Sequence, residues 1–177
     1  MSTKGRIFFW IGLIVGGTAL SLWGDAHLFA AWRRGWLWHL VTAALGLLLF
    51  VLVMRAARHT GRILARYGRE GELPRLETNR LVREEIYGCM RHPMHLALFF
   101  VPLAFGLVLG SPTFIFIVAP LEALLMVALV LLVEEPEARR KFGEAYRAYE
   151  AEVPRFNLSL RCLRMLISDV PRLAEER

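Results

Sequence analysis

Charge is missing from long stretches of this chain. No Asp, Glu, Lys or Arg occurs from Ile7 to Gly24, from Gly35 to Met54, or from His92 to Leu121, runs of 18, 20 and 30 residues. Such runs exclude an ordinary soluble domain. At about 1.5 Å of rise per residue, each of the first two approaches the roughly 30 Å hydrocarbon thickness of a bilayer. Also missing are an internal repeat, a low-complexity tract and any recognised nucleic-acid motif. The formal net charge of +6 is therefore read as membrane topology, with anionic headgroups as its counterpart, and not as nucleic-acid binding. A cleaved signal peptide is the rival reading of the first segment, and an uncleaved first span is expected. Lys4 and Arg6 look like the start of such a peptide, but the apolar run is long, and Ser21-Leu22-Trp23-Gly24-Asp25 is a poor small-residue site.

What is there is hydrocarbon, 56% of 177 residues. The fold class expected is all-α, a single integral membrane helical bundle. The 30-residue uncharged run is interrupted by Leu109-Gly110-Ser111-Pro112, a turn composition. It divides into a third span, about Met94 to Leu109, and a fourth, about Thr113 to Val133, joined by a short turn. About four transmembrane helices result. Two basic residues precede span one, nine arginines fall from Arg55 to Arg91 and nine Lys or Arg follow Glu135, against only Arg33 and Arg34 between spans one and two. Twenty against two predicts cytoplasmic N- and C-termini. Cys89 and Cys162 then both face the cytoplasm, where a reduced pair is expected and a structural disulfide is not.

The chain divides into two N-terminal spans (1–57), a cytoplasmic connector (58–91), a hairpin with its flanking polar region (92–156) and an interfacial tail (157–177). The stretch from Arg55 to Arg91 scatters Ala56, Ile63, Leu64, Tyr67, Leu73, Leu76, Leu81, Val82 and Ile86 among its charges. This predicts an extension of span two, a loop around Gly71 to Pro74 and a surface-hugging segment. After Pro136, Phe142, Tyr146 and Tyr149 recur at helical spacing over Glu137 to Ala151. Leu158, Leu160, Leu163, Met165, Leu166 and Ile167 predict one more cytoplasmic interfacial helix. Gly12, Gly16 and Gly17 permit close helix packing in span one.

Polar side chains collect at the two ends of the hairpin. Arg91-His92-Pro93 begins it and Glu134-Glu135 ends it, on one side of the bilayer. Each has an ordinary reading: a basic boundary with proline in a helix's first turn, and acids at the start of the helix after Pro136. Glu122 is less ordinary. Halfway along span four an acidic side chain costs about 2.5–3.5 kcal/mol, so it should face the bundle interior, water or a partner. His92 and His95 lie one turn apart, but with Glu122 they lack a third ligand at fixed spacing, so no metal site is expected.

The segment Arg83-Glu84-Glu85-Ile86-Tyr87-Gly88-Cys89-Met90-Arg91-His92-Pro93-Met94-His95, the pair Glu134-Glu135, Phe142-Gly143-x-x-Tyr146-x-x-Tyr149 and Val153-Pro154-Arg155 together resemble the isoprenylcysteine carboxyl methyltransferase and phospholipid methyltransferase superfamily, over about Leu81 to Phe156. The resemblance implies transfer of a methyl group from S-adenosylmethionine, leaving S-adenosylhomocysteine, to a lipophilic acceptor such as an isoprenylcysteine carboxylate, a phospholipid amine or a small lipophilic thiol. It implies a cofactor enclosed at the cytoplasmic face without a Rossmann domain, and no Gly-x-Gly-x-x-Gly occurs here in a strand-to-helix setting. Tyr87, Arg91, His92 and Pro93 would form one side of that pocket. Glu134, Glu135, Tyr146 and Tyr149 would form the other. Catalytic candidates are Arg91, with Glu122 or His95 as a base where the acceptor arrives protonated.

The chain departs from the family pattern at Glu85, where glycine is usual, at His95, where tyrosine is usual, at Ala97, where glycine is common, and at Gly88-Cys89-Met90, where a basic-aromatic stretch is usual. Two other readings compete. A membrane reductase of the sterol-reductase type would bind NADPH but generally needs more than four spans. A non-catalytic scaffold would keep the fold alone.

Overall fold

A computed structural model describes residues 3–30, 32, 35–72 and 78–168. Arg33, Arg34, Leu73, Leu76, the Pro74 end of the connector loop and the tail from residue 169 onward lie outside them. The described residues are helical, without strands. In chain order the helices are α1 (Thr3–His27), α2 (Trp36–Tyr67), α3 (Pro93–Leu98), α4 (Val101–Leu109), α5 (Ala119–Leu129), α6 (Glu135–Glu152) and α7 (Leu160–Ile167). A 3-10 turn occupies Glu85–Gly88, and π-helical turns at Phe114–Val118 and Val130–Glu134 flank α5.

Three helical stretches, Phe8–His27, Trp36–Tyr67 and Phe114–Glu152, are long and apolar enough to cross a membrane. Their exposed side chains are hydrocarbon: Phe8, Leu22, Leu48 and Leu132 are 73%, 63%, 59% and 75% accessible. Water would penalise such surfaces and lipid does not, so the chain is an integral membrane protein.

The expected third span is broken. Pro93–Leu109 is a shorter apolar helix divided by a turn at Phe99-Phe100. Pro102, in the first turn of α4, explains the break, because it has no N–H for the Leu98 carbonyl and its ring would clash there.

By contacts the chain forms two compact units, Met1–Val51 with Phe99–Leu129, and Leu52–Leu98 with Val130–Arg177. In the first, the Leu109–Pro112 turn forms as expected. Gly110 takes φ +64°, and the Ser111 N–H donates to the Gly106 carbonyl at 3.2 Å, a left-handed helix stop that favours glycine. Asp25 Oδ1 accepts from the Thr113 N–H at 2.9 Å, Ser111 Oγ from the Phe114 N–H at 3.1 Å, and the Gly110 carbonyl from Trp38 Nε1 at 2.8 Å. Gly12 and Gly16 face open space. Gly17 is the packing glycine, for a Cβ there would sit 2.7 Å from Val118 Cγ1 and 3.0 Å from Glu122 Oε1.

In the second unit Val82, Ile86 and Tyr87 are buried, so the end of the connector is packed into the unit and does not lie along its surface. Its start is clamped by Asn79, whose amide accepts from the Glu70 N–H and donates to the Glu70 carbonyl, each at 2.8 Å. Two further expectations fail here. Cys89 and Cys162 are joined by a disulfide, their Cα atoms 5.9 Å apart. The Glu85–Gly88 turn and α7 pack together and carry the two cysteines into bonding range, a proximity that 73 residues of separation conceal. The helix expected over Glu137 to Ala151 is kinked, since Gly143 has φ +53° and ψ −129°. That conformation suits glycine, and no atom would touch a Cβ there.

Candidate active site in the second unit

The kink builds the site. Eleven residues of straight helix span about 16 Å, yet Arg139 and Glu150, eleven apart, form a bidentate ion pair with Arg139 Nε 3.0 Å from Glu150 Oε2. The chain therefore doubles back at Gly143. Tyr146, Tyr149 and Val153 form a buried core with Leu81, Ala138 and Phe142 against it. Backbone bonds from the Arg91 N–H to the Pro154 carbonyl (2.9 Å) and from the His92 N–H to the Arg155 carbonyl (3.1 Å) align the Arg-His-Pro and Val-Pro-Arg segments. Pro93 is fully buried at the start of α3, where its missing N–H costs nothing.

Glu135 is the centre, with a side chain 1% accessible. Its Oε1 lies 3.0 Å from Arg91 Nη2 and 3.4 Å from His92 Nε2, and its Oε2 lies 2.8 Å from Arg155 Nε and 3.7 Å from Arg139 Nη2. Arg91 Nη1 is also 3.1 Å from Glu150 Oε1, and the guanidinium stands 5.8 Å from the centre of the Tyr146 ring. Burying this much charge is tolerable only because it is paired. Three guanidinium groups against two carboxylates leave one positive charge.

Hydrogen bonding within the cluster is incomplete. Arg91 Nε and Nη1, His92 Nε2, Glu135 Oε1, Tyr87 Oη and Tyr146 Oη are buried without a hydrogen-bond partner. Arg91 Nη1 and Glu135 Oε1 meet partners at ion-pair distance, while Arg91 Nε, His92 Nε2 and the two phenols keep hydrogen-bonding capacity to spare. Tyr149 Oη donates to the Tyr87 carbonyl at 2.5 Å, tying the two aromatic walls together.

Burial pushes the His92 pKa down to about 3, helped by His95, Arg91 and Arg155. Although Glu135 lies close by, three arginines already claim that carboxylate, and the imidazole is neutral at physiological pH. The Arg139 hydrogen bond holds Glu150 down to about 2. Burial, with Tyr149 second, raises the Tyr87 phenol above its ordinary value.

Of the residues singled out in the sequence, Tyr87, Arg91, His92, Pro93, Glu135, Tyr146 and Tyr149 all belong to this unit. Glu134 does too, half-exposed beside Glu135. His95 adjoins through its ring, edge-on to His92 at 5.5 Å. Glu122 belongs to the first unit, against Gly17, with its Oε2 buried and lacking a hydrogen-bond partner. Arg139, Glu150 and Arg155 were given no role from the sequence. The signal for the first two was Gly143, whose reversal brings them together. Glu85, at a position where the resemblance has glycine, takes φ +52°, alone among the described non-glycine residues in being positive. A left-handed backbone is thus taken by a residue poorly suited to it.

The sequence profile of the phospholipid methyltransferase family matches residues 37–145. It begins in α2 and ends at Ala145, so it takes in Arg91-His92-Pro93 and Glu134-Glu135 but not Tyr146, Glu150 or Arg155. No curated protein and no solved structure matches the chain. Matched over more than half of its 177 residues, the chain belongs to the phospholipid methyltransferase family of membrane proteins.

Proposed function

We propose that this protein transfers a methyl group from S-adenosylmethionine to a lipophilic acceptor, with the cofactor held by the Arg91–Glu135 cluster. The observation that carries the reading is the buried cluster whose donors and acceptors exceed its internal hydrogen bonds, inside a chain of a methyltransferase family. The residues fit the group. Arg91 Nε is a donor for a carboxylate. Glu135 Oε1 and Glu134 are acceptors for an ammonium or ribose hydroxyls. Tyr87 and Tyr146 offer hydroxyls and ring faces for a purine.

When bound, S-adenosylmethionine supplies a sulfonium methyl group that leaves by in-line displacement. The protein's part is then to bind, orient and exclude water. Arg91 and Glu135 fix the polar end, while Tyr146 and Tyr149 with Val153 close an apolar side. An acceptor arriving as an ammonium must lose a proton first, and His95 is the proposed base, being beside neutral His92. A carboxylate acceptor needs none. Glu122 is retained as a second candidate for contact with the acceptor, on the strength of its unpartnered Oε2.

Four spans, with Pro93–Leu109 and the helix after it as a hairpin, and both termini cytoplasmic, complete the proposal. The support is the basic-residue asymmetry of twenty against two. The test is ligand-induced stabilisation of the purified protein in detergent. S-adenosylhomocysteine is expected to raise the melting temperature and NADPH to leave it unchanged. No response to S-adenosylhomocysteine removes the proposal, and a response to NADPH alone replaces it with a reductase.

A further inference from the structure

Helix α2 carries a feature that neither the fold nor the cluster uses. Arg55, Arg58, Arg62 and Arg66 are all exposed, and at 3.6 residues per turn they fall within about 80° around the helix. No acidic residue occurs from Met54 to Arg69. Another face of the same stretch is buried through Ala56, Thr60 and Ile63, so the arginines lie on the exposed side of the helix. The face on which they lie is continuous along the helix with Leu37, Leu40, Leu48 and Val51, which are 57%, 59%, 59% and 53% accessible. Those side chains have hydrocarbon as their surroundings, and the next turns on the same face meet whatever lies above that hydrocarbon.

We propose that Arg55, Arg58, Arg62 and Arg66 form a docking stripe for the phosphate headgroups of anionic phospholipids in the lipid layer that surrounds α2. Lipids whose chains lie along Leu48 and Val51 carry their phosphates to the level of Arg55 and Arg58. The headgroup layer is about 5–8 Å deep on each side, and Arg66 lies about 17 Å along the axis from Arg55. Arg55 and Arg58 therefore sit within the layer and Arg62 reaches it by folding its long side chain back, whereas Arg66 lies beyond contact and adds only its field, within about a Debye length of the phosphates. Two contacts hold the stripe in shape. Arg62 Nε donates to the Arg58 carbonyl at 3.4 Å, and the Arg66 guanidinium stacks 5.1 Å from the centre of the Tyr67 ring. Side chains supported in this way retain donors for a phosphate oxygen.

The experiment is native mass spectrometry of the full chain released from nanodiscs of equal phosphatidylglycerol and phosphatidylcholine, scoring the retained lipid of each kind. An arginine in the headgroup layer contributes about a fivefold preference for anionic lipid. Wild type is expected to retain phosphatidylglycerol preferentially. The pair R55Q/R58Q is expected to lose roughly tenfold or more of that preference, R62Q/R66Q less, and the charge-matched control R140Q/R147Q, two exposed arginines of α6, none. Retention unchanged in R55Q/R58Q overturns the proposal, as does an equal loss in the control, which would make the effect one of net charge. Soluble glycerol phosphate displacing the lipid at equal concentration also overturns it, in favour of a free-anion site. Should the glutamine variants fail to fold, wild type decides: its preference must fall steeply between about 0.15 and 0.5 M salt, and a salt-independent preference sinks the proposal. The substitutions leave Arg91, Glu135 and the residues paired with them unchanged, so the outcome is independent of the methyltransferase reading.

Discussion

Replacing Glu135 with glutamine tests the cluster most sharply. The carboxylate is 1% accessible and faces Arg91, itself 5% accessible, at 3.0 Å, while the other cationic partners, Arg139 and Arg155, are 42% and 43% accessible. Breaking a buried pair by removing one partner costs about 3–5 kcal/mol, since the survivor stays buried and charged. The two exposed arginines add at most about 1 kcal/mol each, because water screens them. Glutamine keeps the shape and one acceptor, so a loss of about 3 kcal/mol is expected, read by thermal unfolding in detergent. Binding of S-adenosylhomocysteine, measured by calorimetry on the folded fraction, is expected to weaken about a hundredfold, or 2.7 kcal/mol, as an acceptor and the orientation of Arg91 are lost together. Glu135→Asp should recover part of both. Unchanged melting together with unchanged affinity refutes the reasoning. Reduced melting with unchanged affinity would make the cluster structural only.

Acidification should destabilise the second unit. An unfolded histidine takes up its proton near the ordinary 6.5, whereas His92 does so near 3. Between those values the unfolded chain holds the extra proton and stability falls with falling pH, by at most about 1.4 kcal/mol per pH unit. Glu150, at about 2 against an ordinary 4.5, adds a loss below 4.5. A melting temperature flat from pH 6.5 to 4 in wild type, or equally steep in His92→Gln, contradicts this. Opening the Cys89–Cys162 bond frees a 73-residue separation and should cost about 4 kcal/mol; dithiothreitol should lower the melting temperature of wild type but not of the double serine variant. Gly143→Ala places a methyl group at φ +53° and should disturb the reversal that joins Arg139 to Glu150, lowering both stability and ligand affinity. Glu85→Gly should instead stabilise by about 0.5–1 kcal/mol by relieving φ +52°, and a loss of stability would show that the side chain, not the backbone, matters there.

Hydrocarbon runs and basic loops made the helices legible, because lipid forces backbone groups to pair within each segment. Motif spacing likewise marked Arg91, His92 and Glu135, residues that end neighbouring helical segments. Long-range geometry was not legible. Cys89 and Cys162 meet only after two short elements pack, and Arg139 meets Glu150 only because Gly143 reverses the chain. Glu122 had a visible cost, an acid amid hydrocarbon, but its neighbour Gly17 comes from a helix about a hundred residues earlier, and no periodicity links them. Pro102 was readable as a helix stop within the third span, yet its uncharged surroundings masked it.

The central claim is that the Arg91–Glu135 cluster serves methyl transfer from S-adenosylmethionine. The most direct measurement is the passage of a radiolabelled methyl group from that donor into extractable lipid, with the purified protein in liposomes containing phosphatidylethanolamine. The account predicts label in the lipid fraction with wild type and loss of nearly all of it with Glu135→Gln at equal amounts of folded protein. Label transferred equally by both proteins would contradict it.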